Sequence, residues 1–218
     1  LMNNNDHYVP QFLLRRFCNG VGRLHVYDKW NDRAFVSSTR NVASEKGFYD
    51  LQIGDEVISL EPVLSQVENL ALDALNSVVD SRSLSVLNET DRARVAFFLA
   101  IQTLRTRGQR EALIQMDAGM RAVFPTKGIK QSDLPDDFYQ TDEELKAASI
   151  MHLSLAEEFS PHFLAKEWFL NETPPGIRFF ISDHPVVRRN YHEPPAFAGN
   201  NGIASEGIQI YMPLSAEL

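Results

Sequence analysis

The sequence has little of what several classes of protein require. Its single cysteine, Cys18, allows no intramolecular disulfide and no zinc site built from several cysteines. The longest apolar run, VAFFLAI at residues 95–101, is too short to cross a bilayer, and the N-terminal LMNNND lacks the basic and apolar regions of a signal peptide. Because extracellular proteins of this kind usually carry disulfides, we expect a cytoplasmic protein that does not contact the membrane.

Basic residues are also scarce, since 21 Lys and Arg stand against 29 Asp and Glu and give a net charge of −8. Such a chain is poorly suited to broad contact with a phosphate backbone, although a small local nucleic-acid site is compatible with it. With 218 residues, 44% of them hydrophobic and 23% charged, the chain is typical of one soluble domain over residues 1–218.

Hydrophobic spacing predicts several helices. Pro10 suits a first helical position and Asn19-Gly20 a helix end, while Thr141 and Glu144 match a capping box. The segment at 95–101 is apolar all round, which indicates a central helix packed on several sides. The predicted helices cover residues 10–18, 60–80, about 88–116 and about 141–159.

Short runs rich in β-branched and aromatic residues predict three hairpins and a last strand. The hairpins turn at WNDR, at Gly54-Asp55 and at TPPG, and the last strand is IQIYMPL. Residues 125–140 have the proline, glycine and charge of a mobile loop. The predicted fold is α+β, with a central long apolar helix and several helices packed on the β-hairpins of a small, mostly antiparallel sheet. Because the chain stops directly after an apolar strand, we expect a further C-terminal portion.

Two short motifs, HYVP at residues 7–10 and SDHPV at 182–186, stand far apart in the chain. Together they resemble a bacterial family of domains of unknown function that carries HYVP near its start and SDNPV in its later half. FYD at 48–50, the spaced Glu61 and Glu68, and QTLRTR at 102–107 also resemble that family's pattern. His184 stands where the family usually has Asn, and family members tend to run further at the C-terminus. The resemblance implies a fold and candidate positions, and no reaction.

The SDHP residues follow an apolar stretch and end in a proline, a position where a rigid scaffold can present polar groups. In one interpretation Asp183 is a metal ligand or general base with His184 beside it. In the other, Ser182 and Asp183 form a turn whose side chains cap backbone amides. The sequence leaves both open.

His7 lies directly before a predicted helix start. It could act as a general base or metal ligand in a hydrolysis, next to helix amides that accept an anion. It could equally order the chain by bonding to its neighbours. Tyr8 and Val9 are expected to pack, since Pro10 holds Val9 extended.

Arg94, Phe98, Gln102 and Arg105 share one stripe of the predicted long helix. A buried arginine needs a partner, because an unpaired buried charge is very costly. That partner is either an anionic substrate or an internal salt bridge to Glu61 or Glu68, which lie on one side of their own helix. The internal salt bridge is the simpler interpretation.

Recognised catalytic and nucleotide motifs are absent, among them H-E-x-x-H, G-x-S-x-G, the P-loop and G-x-G-x-x-G. The cofactor is unknown and a divalent metal is open, although no two histidines have a recognised ligand spacing. Its candidate ligands are His7, Glu68, His152, His162 and Asp183. A basic and aromatic spot that could touch nucleic acid, or be a solvated turn, comprises Arg188, Arg189, Tyr191 and His192.

Three functions follow from these residues. The first is a hydrolase acting on a phosphodiester, a nuclease or toxin/defence-type effector, with a polar pocket. The second is a non-catalytic module that binds or senses a small anionic ligand or a partner, and in the third the motifs are architectural. The oligomeric state is not determined. The hydrolase would use His7, Asp183 and His184 in catalysis and Tyr8, Glu61, Glu68, Gln102, Arg105 and Ser182 in binding.

Overall fold

The structure is a computed structural model that describes residues 5–135, 138–193 and 199–218. The helices in these ranges are α1 (Gln11–Arg15), α2 (Glu61–Ser81), α3 (Glu89–Leu104), α4 (Arg107–Thr126), α5 (Asp142–Met151) and α6 (Ala156–Leu164). The strands are β1 (Asn5–His7), β2 (Leu24–Asp28), β3 (Arg33–Ser37), β4 (Ser44–Lys46), β5 (Asp50–Ile53), β6 (Glu56–Ser59), β7 (Val187–Asn190) and β8 (Ile208–Tyr211). None of these helices is both long enough and apolar enough to cross a membrane.

The strands form four antiparallel pairs, β1–β4, β2–β3, β5–β6 and β7–β8. This arrangement confirms the α+β class and the hairpins at WNDR and Gly54-Asp55. Each pair is a separate two-stranded sheet, whereas the sequence predicted one small sheet that contains the hairpins. Because a two-stranded sheet is marginal in water, the pairs depend on packing against the rest of the fold.

The central helix is α3, which packs against α2 on one side and α6 on another. Phe98 and Ala96 in its middle are completely buried, as the all-round apolar segment predicts. The helix begins after Asn88, whose side-chain oxygen accepts the N–H of Asp91 at 2.9 Å. The α2 prediction is confirmed within one residue at each end, whereas α1 is shorter than predicted.

The prediction of one long helix from about residue 88 to 116 is wrong in one respect, because the helix is interrupted between α3 and α4. Arg105 follows the last residue of α3, and Thr106 is extended, with φ −81° and ψ 155°. Neither residue is proline or glycine, so the sequence carries no breaker at that point. The cause is tertiary, because the Tyr49 hydroxyl donates to the Arg105 carbonyl.

The capping box at α5 is confirmed. Thr141 Oγ1 accepts the N–H of Glu144 at 3.3 Å, and a carboxylate oxygen of Glu144 accepts the N–H of Thr141 at 2.7 Å. The helix predicted up to about residue 159 is interrupted by a 3₁₀ turn at His152–Leu155 before α6 begins.

The hairpin predicted around TPPG is not formed, since residues 166–182 contain no strand. Instead the N–H of Thr173 donates to the Glu217 carbonyl at 2.9 Å, and the N–H of Phe179 donates to the Ala216 carbonyl at 2.8 Å. The end of the chain therefore takes the place of the expected hairpin partner. The last strand is confirmed as β8, and its partner is β7.

The loop predicted over residues 125–140 begins later than expected, because α4 continues through Pro125 to Thr126. A 3₁₀ turn at Gln131–Asp133 follows. Residues 136 and 137 of this loop lie outside the described residues.

Phe98 supplies a direct test of this packing. We expect Phe98→Ala to lower the free energy of unfolding by about 3–5 kcal/mol, because it leaves a cavity between α2 and α3. The control is Phe180→Ala, whose side chain is 84% exposed and whose loss should change the free energy of unfolding by less than about 0.5 kcal/mol. Equilibrium urea denaturation measures both, and equal effects would contradict α3 as the centre of the core.

Candidate functional site

The HYVP motif is held at the edge of β1. His7 is buried, and its Nε2 lies 3.0 Å from the Thr39 carbonyl oxygen. Because a carbonyl oxygen only accepts, Nε2 carries the hydrogen in this bond. Burial lowers the pKa of His7 below its ordinary value, so the ring is neutral near pH 7. His7 thus orders the start of the chain by bonding to a neighbouring segment.

Arg105 forms the centre of a buried network. Its Nε donates to Gln102 Oε1 at 2.9 Å, and its Nη2 donates to Glu68 Oε1 at 2.8 Å. Gln102, itself completely buried, donates from Nε2 to the Tyr8 carbonyl at 2.8 Å. The internal salt bridge proposed from the sequence is therefore present, and it joins α2, α3 and the HYVP segment.

Tyr49, from the FYD stretch, completes this network. Its hydroxyl donates to the Arg105 carbonyl at 3.0 Å, and its backbone N–H donates to Asp6 Oδ2 at 3.1 Å. In a continuous helix the Arg105 carbonyl would accept the N–H of Gln109, which here bonds to the Thr106 carbonyl. The Tyr49 hydroxyl replaces that helical bond, which accounts for the break between α3 and α4.

Glu61 lies at the start of α2, on the same side as Glu68. Burial and the nearby charges of Asp6 and Glu68 raise its pKa to about 7, while Arg105 opposes the shift. The two glutamates in this cluster therefore differ, because Glu68 is paired with Arg105 and Glu61 is not. We call Glu61, Glu68, Gln102, Arg105 and Tyr49 the inner network.

The SDHP turn contacts the inner network through Thr106. Thr106 Oγ1 lies 2.6 Å from His184 Nδ1, and the Thr106 side chain does not cap α4. Burial, and next the charge of Arg188, lower the pKa of His184, with Asp183 opposing. The ring is half-buried and is held in one orientation.

Ser182 builds the turn itself, since its hydroxyl accepts the His184 N–H at 3.2 Å and donates to the His184 carbonyl at 2.7 Å. Asp183 is exposed. Burial raises the pKa of the Tyr8 hydroxyl, and among the neighbouring charges Asp183 raises it further while Arg107 lowers it. The Tyr8 hydroxyl, Arg107, Asp183 and His184 therefore share one region, which we call the outer face.

The two motifs that lie far apart in the sequence thus meet at the junction of α3 and α4. The expected single pocket is divided into a closed inner network and an outer face, because Gln102 and Arg105 are buried and Asp183 is exposed. Catalytic and binding roles for these residues stay predictions. The sequence analysis did not single out Tyr49, Thr106 or Arg107 as individual residues. The signals that pointed to them were the FYD and QTLRTR stretches.

The other predicted residues lie elsewhere. Arg94 pairs with Asp91 on the exposed side of α3. Arg188 and Arg189 belong to β7, and the Arg189 guanidinium stacks 4.6 Å from the centre of the Tyr191 ring. Over residues 5–135, 138–193 and 199–218, no three His, Cys, Asp or Glu side chains are grouped so that they could hold a metal ion. His152 and His162, two of the candidate ligands, are exposed.

The fold and this junction define an α+β protein in which the residues of the two motifs are divided between a buried network and a surface. The chain belongs to the family described as "Protein of unknown function (DUF4238)", whose model matches residues 5–218 and so spans both motifs. No curated protein and no solved structure matches the chain.

Arg105 allows the inner network to be tested. We expect Arg105→Ala to lower the free energy of unfolding by about 3–5 kcal/mol, because it leaves Glu68 and Gln102 without their partner. The control is Arg82→Ala, which removes exposed ion pairs to Glu172 and Glu217 and should lower the free energy of unfolding far less. Chemical denaturation compares them, and a similar small effect of both would contradict the network's structural role.

His7 makes stability depend on pH. Because its folded pKa lies below the ordinary 6.5, its contribution to stability is complete above pH 6.5 and is lost as the pH falls through the lowered value. We expect His7→Gln to flatten the decline in unfolding free energy as the pH falls below 6.5. The exposed control His162→Gln should keep the wild-type slope, and an unchanged slope in His7→Gln would exclude His7 as the cause.

Proposed function

We propose that this chain is a hydrolase that acts on a phosphodiester, of the nuclease or toxin/defence-effector type, and that His184 is its acid–base group. The observation that carries this proposal is the 2.6 Å contact between Thr106 Oγ1 and His184 Nδ1 at the start of α4. It fixes the ring, and a hydrogen on Nδ1 that donates to Thr106 leaves Nε2 free to take a proton. The lowered pKa of His184 keeps the ring neutral near pH 7, which is the state that a general base requires.

The first turn of α4 is the proposed position of the phosphate group. Because the Thr106 side chain contacts His184 and does not cap the helix, the first amides of α4 are left for an anion. Gly108 lies in this turn, and a Cβ placed on it would come 3.9 Å from His184 Nδ1. A phosphate oxygen bound at these amides would therefore lie beside the imidazole. Arg107, exposed at the first helical position and paired with Glu111 at 2.7 Å, brings a guanidinium group there.

The remaining motif residues take supporting roles in this proposal. Asp183 stabilises the imidazolium that forms when His184 accepts a proton, since its charge raises the pKa of that ring. The Tyr8 hydroxyl faces the same group of charges and can donate to the substrate. His7 and the inner network act as positioning residues, because they hold the HYVP main chain and the α3–α4 break.

Binding of a small anionic ligand without turnover is the second candidate function. It is favoured by the positive charges of Arg188 near His184 and of Arg107 near the Tyr8 hydroxyl, together with the start of α4. These groups are sufficient to hold an anion and do not by themselves require a reaction.

Turnover of bis(p-nitrophenyl) phosphate and of end-labelled DNA and RNA oligonucleotides tests the hydrolase. Each assay is run with EDTA and with Mg²⁺ or Mn²⁺, because Asp183 is an exposed carboxylate that such a cation could use. We expect His184→Ala to lower kcat/KM by about 10²-fold or more. The exposed control His162→Ala should leave kcat/KM unchanged, and circular dichroism checks that both variants fold.

The outcomes separate the candidate functions. Wild-type turnover in a folded His184→Ala variant would exclude His184 as the acid–base group. A thermal shift on adding inorganic phosphate or a dinucleotide, with no turnover of any substrate, would favour the binding module. A variant that only loses stability, with no substrate turned over and no ligand bound by the wild type, would favour the architectural interpretation.

A further inference from the structure

Two buried side-chain atoms of the inner network lack a hydrogen-bond partner in the part of the chain that the structure describes. They are Glu61 Oε2 and Arg105 Nη1. Buried polar atoms are nearly always paired, and a carboxylate oxygen and a guanidinium N–H are natural partners for each other. That both stay unpaired within one ionic cluster needs a physical explanation.

The bonds of Arg105 show where a second carboxylate would bind. Its Nε is used by Gln102 and its Nη2 by Glu68, so Nη1 is the remaining terminal nitrogen. Glu61 lies two helical turns before Glu68 and therefore on the same face of α2. It is also the first residue of that helix, and helix ends fray more readily than helix interiors.

A neutral Glu61 would account for the missing bond to Arg105. A neutral Glu61 carboxyl tolerates the neighbouring carboxylates of Asp6 and Glu68 and has little attraction to a guanidinium. An ionised Glu61 is repelled by both carboxylates and attracted by Arg105. Titratable and charged groups from several elements face Glu61 and Arg105. They are Asp6 and His7 from β1, Glu68 from α2, Arg110 from α4 and Tyr49 from the segment before β5.

We propose that Glu61 is a proton-controlled second partner of Arg105. The neutral carboxyl stays apart from the guanidinium, as in this structure, and releases its proton to solvent as the pH rises. The ionised carboxylate then rotates onto Arg105 Nη1, so that Arg105 bridges Glu61 and Glu68 across the start of α2.

The pH at which this change occurs lies in the physiological range. Burial, Asp6 and Glu68 together raise the pKa of Glu61 to about 7 from an ordinary 4.5. Arg105 is the neighbour of Thr106, which contacts His184 at 2.6 Å. A change in the bonds of Arg105 therefore acts one residue away from the outer face, and this inference does not depend on whether that face catalyses a reaction.

NMR titration of the wild-type chain from pH 5.5 to 8.5 tests this proposal. The side-chain carboxyl carbons of glutamate and the guanidinium nitrogens of arginine are followed in the same samples. We expect the Glu61 carboxyl to titrate with a midpoint of about 7 and the Arg105 Nη signals to shift with the same midpoint. Glu61→Gln, which stays neutral, should abolish both changes, while Asp73→Asn on the exposed side of α2 should keep them.

Several results would overturn the proposal. A Glu61 midpoint near 4.5 would show that the carboxyl is ionised throughout the range. Arg105 signals that stay constant while Glu61 titrates would exclude the new ion pair. An Arg105 shift that persists in Glu61→Gln would assign the change to His7 or His184. If Glu61→Gln fails to fold, the wild-type titration decides between these results, since different midpoints for Glu61 and Arg105 would overturn the proposal.

Discussion

The buried guanidinium of Arg105 is the constraint on which the rest of this structure depends. A charge that is 2% exposed has to be balanced by partners, because leaving it unpaired would cost several kcal/mol. Those partners come from α2 through Glu68 and from α3 through Gln102, which in turn holds the Tyr8 carbonyl. Elements from separate parts of the chain are thereby fixed around one side chain.

The same residue also determines where the helix breaks. The Arg105 carbonyl accepts the Tyr49 hydroxyl in place of the amide four residues later, so the helical hydrogen-bond series is interrupted at that point. Thr106 is then extended, and its side chain reaches His184. The outer face is therefore a consequence of the inner network, since the turn at His184 has a partner only because the helix stops at Arg105.

Local sequence patterns predicted the features of this fold that depend on neighbouring residues. They failed where a residue distant in the sequence determines the local structure. The apolar periodicity of α2, the capping box at Thr141 and the turn at Gly54 depend on neighbours in sequence, and all were predicted. The break at Thr106 depends on Tyr49, and the pairing of Phe179 depends on the end of the chain. Periodicity does not encode such partners, so the long helix and the third hairpin were wrong.

The site was predictable to the same extent. A buried arginine on a helix stripe needs an anionic partner, so a salt bridge from Arg105 to Glu61 or Glu68 could be anticipated from two helices alone, and the structure shows that it is Glu68. The separation of the motif residues into a buried group and an exposed group could not be anticipated, because it depends on which side chains face outward at the helix break. The family motif that this sequence resembles has Asn where His184 stands, and an amide can bond to the Thr106 hydroxyl as an imidazole does. Of the two side chains, only the imidazole can take up a proton near neutral pH. The acid–base role that we propose for position 184 therefore requires the histidine, whereas the contact with Thr106 is compatible with either residue.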